Sequence, residues 1–281
     1  MSVQASDIEV YGAGIIGSTI TRMARDRGLT VTLIDPQPEH AASRASIAII
    51  RLAWHQPGHD RRRANYGLGW LAARGWRYAA GATITNYRTP GRAHPDRDYH
   101  LIHPTRPLLE PDRAERDPDA PPPALTVTAT GVCAIPDTEN RSQWGWTATA
   151  DGDLGDDLRI HHYAPYKAIA AAQVGTQIRV GSSTHRDLAR AETMIEEMLH
   201  RAIDVGLVPP DIDGWHFEAG CRPIDGSGGR PRWDGPGHVT VTGTGKVGYA
   251  LAPAIATEVL DRAFTASSEP SPETATASPR A

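Results

Sequence analysis

Three glycines near the start of the chain carry its clearest chemical signal. Gly12-Ala13-Gly14-Ile15-Ile16-Gly17 follows the short β-prone run Ile8-Glu9-Val10-Tyr11 and opens a segment with Ile16, Ile20 and Met23 at helical spacing. Gly28 stands where that helix must end, and the β-branched run Leu29 to Ile34 closes on Asp35, 23 residues after Gly12. A strand, a glycine turn, a helix, a second strand and an acid form the dinucleotide fingerprint in its proper setting. The first glycine makes the tight turn, the second admits a pyrophosphate, and the third lets helix and strand pack closely. The helix N-terminus offers free N–H groups to the phosphates, and the acid accepts hydrogen bonds from a ribose. This unit by itself does not separate NAD from FAD. A second glycine turn, Gly243-Thr244-Gly245-Lys246-Val247-Gly248, lies between the strand-like Gly237 to Thr242 and a helix predicted over 249–263, and would aim another helix N-terminus at a ligand.

Other residues of reactive type carry less. His161 and His162 are neighbours on a predicted strand and point to opposite faces, which speaks against shared metal ligation. Cys133 and Cys221 fit neither a disulfide framework nor a zinc site and read as small core residues in a reducing compartment. Arg61-Arg62-Arg63 reads as a solvated face, with phosphate contact in an open site as the alternative, and Trp54-His55 as a core Trp beside a surface His, with pocket lining as the alternative. Tyr163 and Tyr166 fall in the presumed substrate sheet and read first as structural residues, with a substrate contact by one of them as the lesser alternative.

The elements that must hold these residues are legible in part. Residues 41–54 are small and apolar, with Ser43 and Ser46 interleaved; 125–131 is a strand running into Gly131. Strand-like pieces fall at 144–149, 158–163 and 178–181, and an amphipathic helix is predicted over 186–205. Residues 104–123 hold seven prolines and read as a solvated loop, and 265–281 as a disordered tail. Of 281 residues, 40% are apolar and 22% charged, enough for one large α/β domain or one domain with an insert. A net charge of −4 supplies no global field for nucleic acid; Lys167 and Lys246 are the only lysines among 29 basic residues. With no apolar run approaching 18 residues and no secretory signal, the expectation is a cytoplasmic protein without membrane contact.

Taken in order, YGAGIIG, AASRAS, TVTATG, GCRP and VTGTGKVGYALAP resemble the D-amino-acid oxidase and glycine oxidase family of flavoproteins across most of residues 8–263. The resemblance implies an α/β fold: a Rossmann-like FAD-binding domain with a second, reduced, mainly antiparallel-sheet substrate domain. The expected division is 1–134 with 222–264 for the FAD-binding domain and 135–221 for the substrate domain. It implies FAD as cofactor, held by Gly12, Ala13, Gly14, Ile15, Ile16, Gly17 and Asp35 at the ADP half. Ser43, Arg44 and Ser46 would lie along the ribityl and pyrophosphate, with Thr130 and Gly131 at a strand end close by. Gly243, Gly245, Lys246, Val247, Gly248 and Tyr249 would face the flavin. Arg222 matches the family arginine that pairs with a substrate carboxylate, a role that suits the guanidinium fork.

The resemblance is incomplete in two places. Family members run longer, so the stretch between Trp54 and Gly81 replaces a larger piece and the substrate lid is expected to be trimmed. Thr244 and Lys246 stand where the family often has His and Gly; Lys246 is either an oxygen-activating group near the flavin or a solvated surface lysine.

The implied activity is oxidation of an amino acid or secondary amine, by hydride transfer from Cα to flavin N5, imine hydrolysis and reoxidation by oxygen to peroxide. One alternative keeps that chemistry on a glycine-type adduct of a thymine base in phage DNA, releasing glyoxylate and leaving an aminomethyl base, which would place the protein in a host cytoplasm. A second is a flavin-binding subunit without catalysis.

Overall fold

The computed structural model describes residues 6–36, 40–47, 49–51, 58–74, 77–78, 82–86, 89–94, 99–101, 114–115, 117–131, 142–164, 167–224 and 226–264, with backbone alone for 51, 59, 77–101, 164, 167, 182–184 and 246. In chain order the elements are β1 (Ile8–Tyr11), α1 (Ile15–Asp26), β2 (Val31–Ile34), β3 (Ile49–Arg51), α2 (His59–Ala72), β4 (Arg77–Tyr78), β5 (Ala82–Asn86), β6 (Thr89–His94), β7 (Tyr99–Leu101) and β8 (Leu125–Thr128). They continue with β9 (Ser142–Asp151), β10 (Leu158–Ala164), β11 (Lys167–Val174), β12 (Gln177–His185), α3 (Leu188–Asp204), β13 (His216–Pro223), β14 (Arg232–Gly235), β15 (His238–Thr240) and α4 (Gly248–Phe264).

The glycine turn belongs to a five-stranded sheet of order β14-β15-β8-β1-β2. β1 pairs in parallel with β2 and β8, β15 runs parallel to β8, and β14 is antiparallel at the edge. Ile8 and Val10 bury completely, as expected of a strand covered on both faces. α1 packs Ile16, Ile20, Met23 and Ala24 into the same core. Gly28, at φ +80°, ends α1, its N–H donating to Arg25 O at 2.9 Å. α4 is buried through Ala250, Leu251, Ile255, Val259 and Leu260, and α1 and α2 both pack against it.

The second sheet has seven strands in the order β13-β9-β12-β11-β10-β5-β6, antiparallel except for the β10–β5 pair. It draws β5 and β6 from 82–94, a wider span than the expected 135–221, and β13 runs through that boundary to Pro223. α3 covers one face, with Ile195, Met198, Leu199 and Ala202 on Trp146, Ala148, Ile178 and Val180. Asp187 caps α3 by accepting from Arg190 N–H at 2.7 Å. β3, β7 and β4 form a small third sheet.

The other face of the second sheet is built for close approach. Gly145 of β9 lies opposite Gly220 of β13, and Gly181 of β12 opposite Thr147 of β9, on one side of the pleat. A Cβ at Gly220 would come within 2.7 Å of Ala45 Cβ, and one at Gly181 would overlap Ile47 Cγ2. These missing side chains let the small-residue segment at 41–47 lie directly on the sheet. The segment is pinned at its start by Cys221 N–H donating to His40 O at 3.0 Å and by a parallel bridge between Ala41 and Cys221.

One sequence expectation changes, and one stretch without an expectation acquires an element. Helix α2 replaces an unassigned stretch: Gly67 and Gly69 weaken its intrinsic propensity, and packing on α4 makes up the difference. Within it Arg61 and Arg62 are exposed, but Arg63 is 6% exposed, with Nε 2.9 Å from Glu258 Oε1 and donations to Gly228 O and Gly229 O. The three arginines are therefore not one solvated face.

Candidate functional site

Gly12 adopts φ +102°, and a Cβ there would sit 2.5 Å from Ala129 O at the end of β8. That glycine allows the chain to turn tightly between β1 and α1. Gly17 serves packing, since a Cβ on it would overlap Gly12 O. Gly14 is the N-cap of α1 and carries no capping side chain. The role passes to Ser43, whose Oγ accepts from Ile15 N–H at 2.9 Å. A side chain at Gly14 would press on that hydroxyl, at 3.2 Å. Asp35, at the end of β2, accepts from Ala13 N–H at 3.1 Å and so fixes the glycine turn from the other side.

These groups open onto one cleft enclosing about 1070 Å³ of empty space, mouth included. Gly12, Ala13, Gly14, Ile15, Ile16 and Asp35 form one wall, and Ser43, Arg44 and Ser46 a second. Thr130 and Gly131 follow β8, while Gly245, Gly248 and Tyr249 stand at the start of α4. Arg222 reaches in from β13. The structure thus gathers residues from positions 12 to 249 around one space. Gly17 and Gly243 do not line it, nor does Val247. Lys246 sits in the 3-10 turn Gly245–Val247, but its side chain lies outside the described residues. Trp54, His55, Cys133 and Tyr166 also lie outside them, as do 104–113 and 265–281.

Arg222 is half-buried, with its guanidinium above Gly145: a Cβ on that glycine would collide with it, 2.7 Å from Nη1. Gly145 thus makes room for the arginine. Burial pushes its pKa down from the usual guanidinium value, so an anion entering the cleft would be favoured there. Tyr249 Oη donates to Ser43 O at 2.7 Å, and burial pushes the phenol up to about 12. It stays neutral at any working pH.

Sequence reading passed over several residues of the cleft, among them His40, Pro223 and Thr242. Thr242 matters most: its Oγ1 is buried and has no hydrogen-bond partner among the described residues, while Ser227 Oγ holds its carbonyl at 3.1 Å. Its place before the glycine turn was the only signal available. Tyr163, in contrast, packs against the α3 side of the second sheet, with Arg201 5.2 Å from its ring centroid, away from the cleft. His161 and His162 join no metal-holding group among the described residues. No described helix is long and apolar enough to cross a membrane.

The class defined by this geometry is an α/β protein with a Rossmann-like sheet and a second, mainly antiparallel sheet closing the cleft. Solved structures share that fold over nearly their whole length. Iminodiacetate oxidase from Chelativorans sp. BNC1 is 15% identical, covers 94% of this chain and 96% of its own, and has a TM-score of 0.63. Glycine oxidase from Bacillus cereus ATCC 14579 is 13% identical, with 92% and 97% covered and a TM-score of 0.64. An FAD dependent oxidoreductase from Pseudomonas aeruginosa is 14% identical, with 96% and 94% covered and a TM-score of 0.59. No protein-family model matches the sequence, and no curated protein matches it.

Proposed function

We propose that this protein binds FAD in the cleft and oxidises the carbon–nitrogen bond of an amino acid or secondary amine, with oxygen as final acceptor and peroxide as product. The observation that carries the reading is the half-buried guanidinium of Arg222, seated over Gly145 in the same cleft as the glycine turn. The likeness in fold to proteins described as glycine oxidase, iminodiacetate oxidase and an FAD dependent oxidoreductase supports it.

The residues present fit the cofactor. Main-chain N–H groups at the start of α1 and the hydroxyl hydrogen of Ser43 would hold the pyrophosphate. Asp35 would accept from a ribose hydroxyl. Thr242 Oγ1, a buried hydroxyl without a hydrogen-bond partner, would gain one from the bound group. The α4 N-terminus would favour negative charge on the ring system. When bound, FAD supplies the acceptor for the hydride from the substrate's Cα. Arg222 holds the substrate carboxylate through two parallel N–H bonds and thereby orients the Cα–H bond. Gly145 leaves the guanidinium its room beside β13, and Tyr249 Oη donates to Ser43 O.

Purified protein should be yellow and release free FAD on heating. Its colour should bleach anaerobically with glycine, sarcosine or another amino acid and return with air, producing peroxide. Stoichiometric nicotinamide without flavin would overturn the cofactor. Bleaching by amino-acid-modified DNA alone would move the substrate to a group carried on a base.

A further inference from the structure

Arg179 lies on β12, on the sheet face that carries the 41–47 segment, two residues before Gly181. Ile47 rests on Gly181, and this brings Ser46 within reach: Arg179 Nη1 donates to Ser46 O at 3.3 Å. Arg179 Nε is buried without a hydrogen-bond partner among the described residues. Ser46 in turn shares a side-chain hydrogen bond with Tyr249, and the Arg179 charge acts on the same phenol. Tyr249 Oη donates to Ser43 O at 2.7 Å, and Ser43 Oγ caps Ile15 N–H at 2.9 Å. One path of contacts therefore runs from the second sheet, through Ser46, Tyr249 and Ser43, to the phosphate-facing end of α1. Ser43, Ser46 and Tyr249 line the cleft; Arg179 stands behind them.

We propose that Arg179 is a positioning residue: through Ser46 and Tyr249 it holds the Ser43–Ser46 wall of the cleft in its binding geometry, so that the second sheet sets how tightly the first holds its cofactor. A half-buried guanidinium with its Nε enclosed suits the task. Its charge strengthens the bond to a carbonyl in a low-dielectric contact, and its planar fork fixes direction where an ammonium would not. The contacts run in series, so loss of either end frees the same wall.

This inference rests on the FAD reading, and the test separates the two. Apoprotein of the wild type, Arg179→Met, Arg179→Lys, Tyr249→Phe and the Met/Phe double variant would be titrated with FAD, following quenching of flavin fluorescence, with folding checked by thermal melting. Arg179→Met should weaken FAD binding about tenfold or more and Tyr249→Phe about three- to tenfold. Arg179→Lys should recover part of the loss, because it keeps the charge. The double variant should bind little worse than Arg179→Met alone, because both act on one wall. If Arg179→Met fails to fold, Arg179→Lys, Tyr249→Phe and their combination provide the same cycle. Arg179→Met binding within twofold of wild type, additive losses in the double variant, or no recovery with Lys would each overturn the inference while leaving the cofactor reading intact. Wild-type apoprotein that binds no FAD would overturn both.

Discussion

Arg222 is the residue on which the proposed chemistry turns. Its guanidinium is partly desolvated over Gly145, whereas Arg44, the other arginine of the cleft wall, is exposed. Arg222→Ala should leave the flavin spectrum nearly intact while lowering kcat/KM at least tenfold, a loss of about 1.5–3 kcal/mol of charge-assisted hydrogen bonding. Arg222→Lys should restore only part, and an amine without a carboxylate should react poorly with wild type and be almost indifferent to the change. Equal losses for carboxylate-bearing and carboxylate-free amines would reassign Arg222 to structural support. Ser43 illustrates a different kind of residue. It stands 28 positions from the N–H that it caps, and only the return of the 41–47 segment brings it there.

At the scale of elements, α2 shows how a weak helix is made by its neighbour. Gly67 and Gly69 are two residues apart in α2 and have opposite surroundings. A Cβ at Gly67 would overlap Ala250 O and lie 3.3 Å from Pro253 Cδ, so Gly67 is what lets α2 approach α4. A Cβ at Gly69 would meet nothing within 4 Å. Gly69→Ala should therefore raise stability by about 0.5–1 kcal/mol through helix propensity. Gly67→Ala should lower it by about 1–3 kcal/mol, because two backbones must separate. Thermal or urea denaturation of the two variants would check both signs; a stabilising Gly67→Ala would refute the close approach. Arg63 closes the same contact from its other side, joining α2 to Glu258 of α4 and to the carbonyls at 228 and 229.

Across the whole molecule, the cleft exists because two sheets meet through a thin segment. Residues 41–47 form a wall of the cleft on one side and lie on Gly220 and Gly181 on the other. Any side chain on that floor lifts the wall. Gly181→Val should cost about 1–3 kcal/mol of stability and also weaken FAD retention, although position 181 does not line the cleft. Ala148→Gly, on the opposite face beneath α3, provides the comparison: it should destabilise by a similar amount with flavin affinity unchanged in the folded fraction. Melting temperatures read together with FAD titrations would separate the two, and equal flavin affinities in both variants would show that the floor does not shape the site.

The sequence by itself determined the local units whose physics is local. The first strand, glycine turn, helix and second strand were legible because turn chemistry, helical periodicity and a β-branched run all lie within some 30 residues. Helices α3 and α4 emerged within two residues of their ends for the same reason. The block order also pointed to many of the residues that gather in the cleft, among them Gly12, Gly14, Asp35, Ser43, Arg222 and Tyr249, though Gly17, Gly243 and Val247 of the same blocks do not line it. What tertiary structure alone decided depends on contacts between distant segments. Packing on α4 made α2 a helix and buried Arg63, although the run of three arginines reads as solvated. Sheet pairing placed 82–94 beside β10, since no local pattern specifies a partner strand. Arg179, on a strand that reads as ordinary, became a support for Ser46 only when Gly181 let Ile47 settle on the sheet. Thr242 was left a buried hydroxyl facing the cleft by the same closure of distant walls, because burial and hydrogen-bond satisfaction are properties of the assembled surface and not of any stretch of chain.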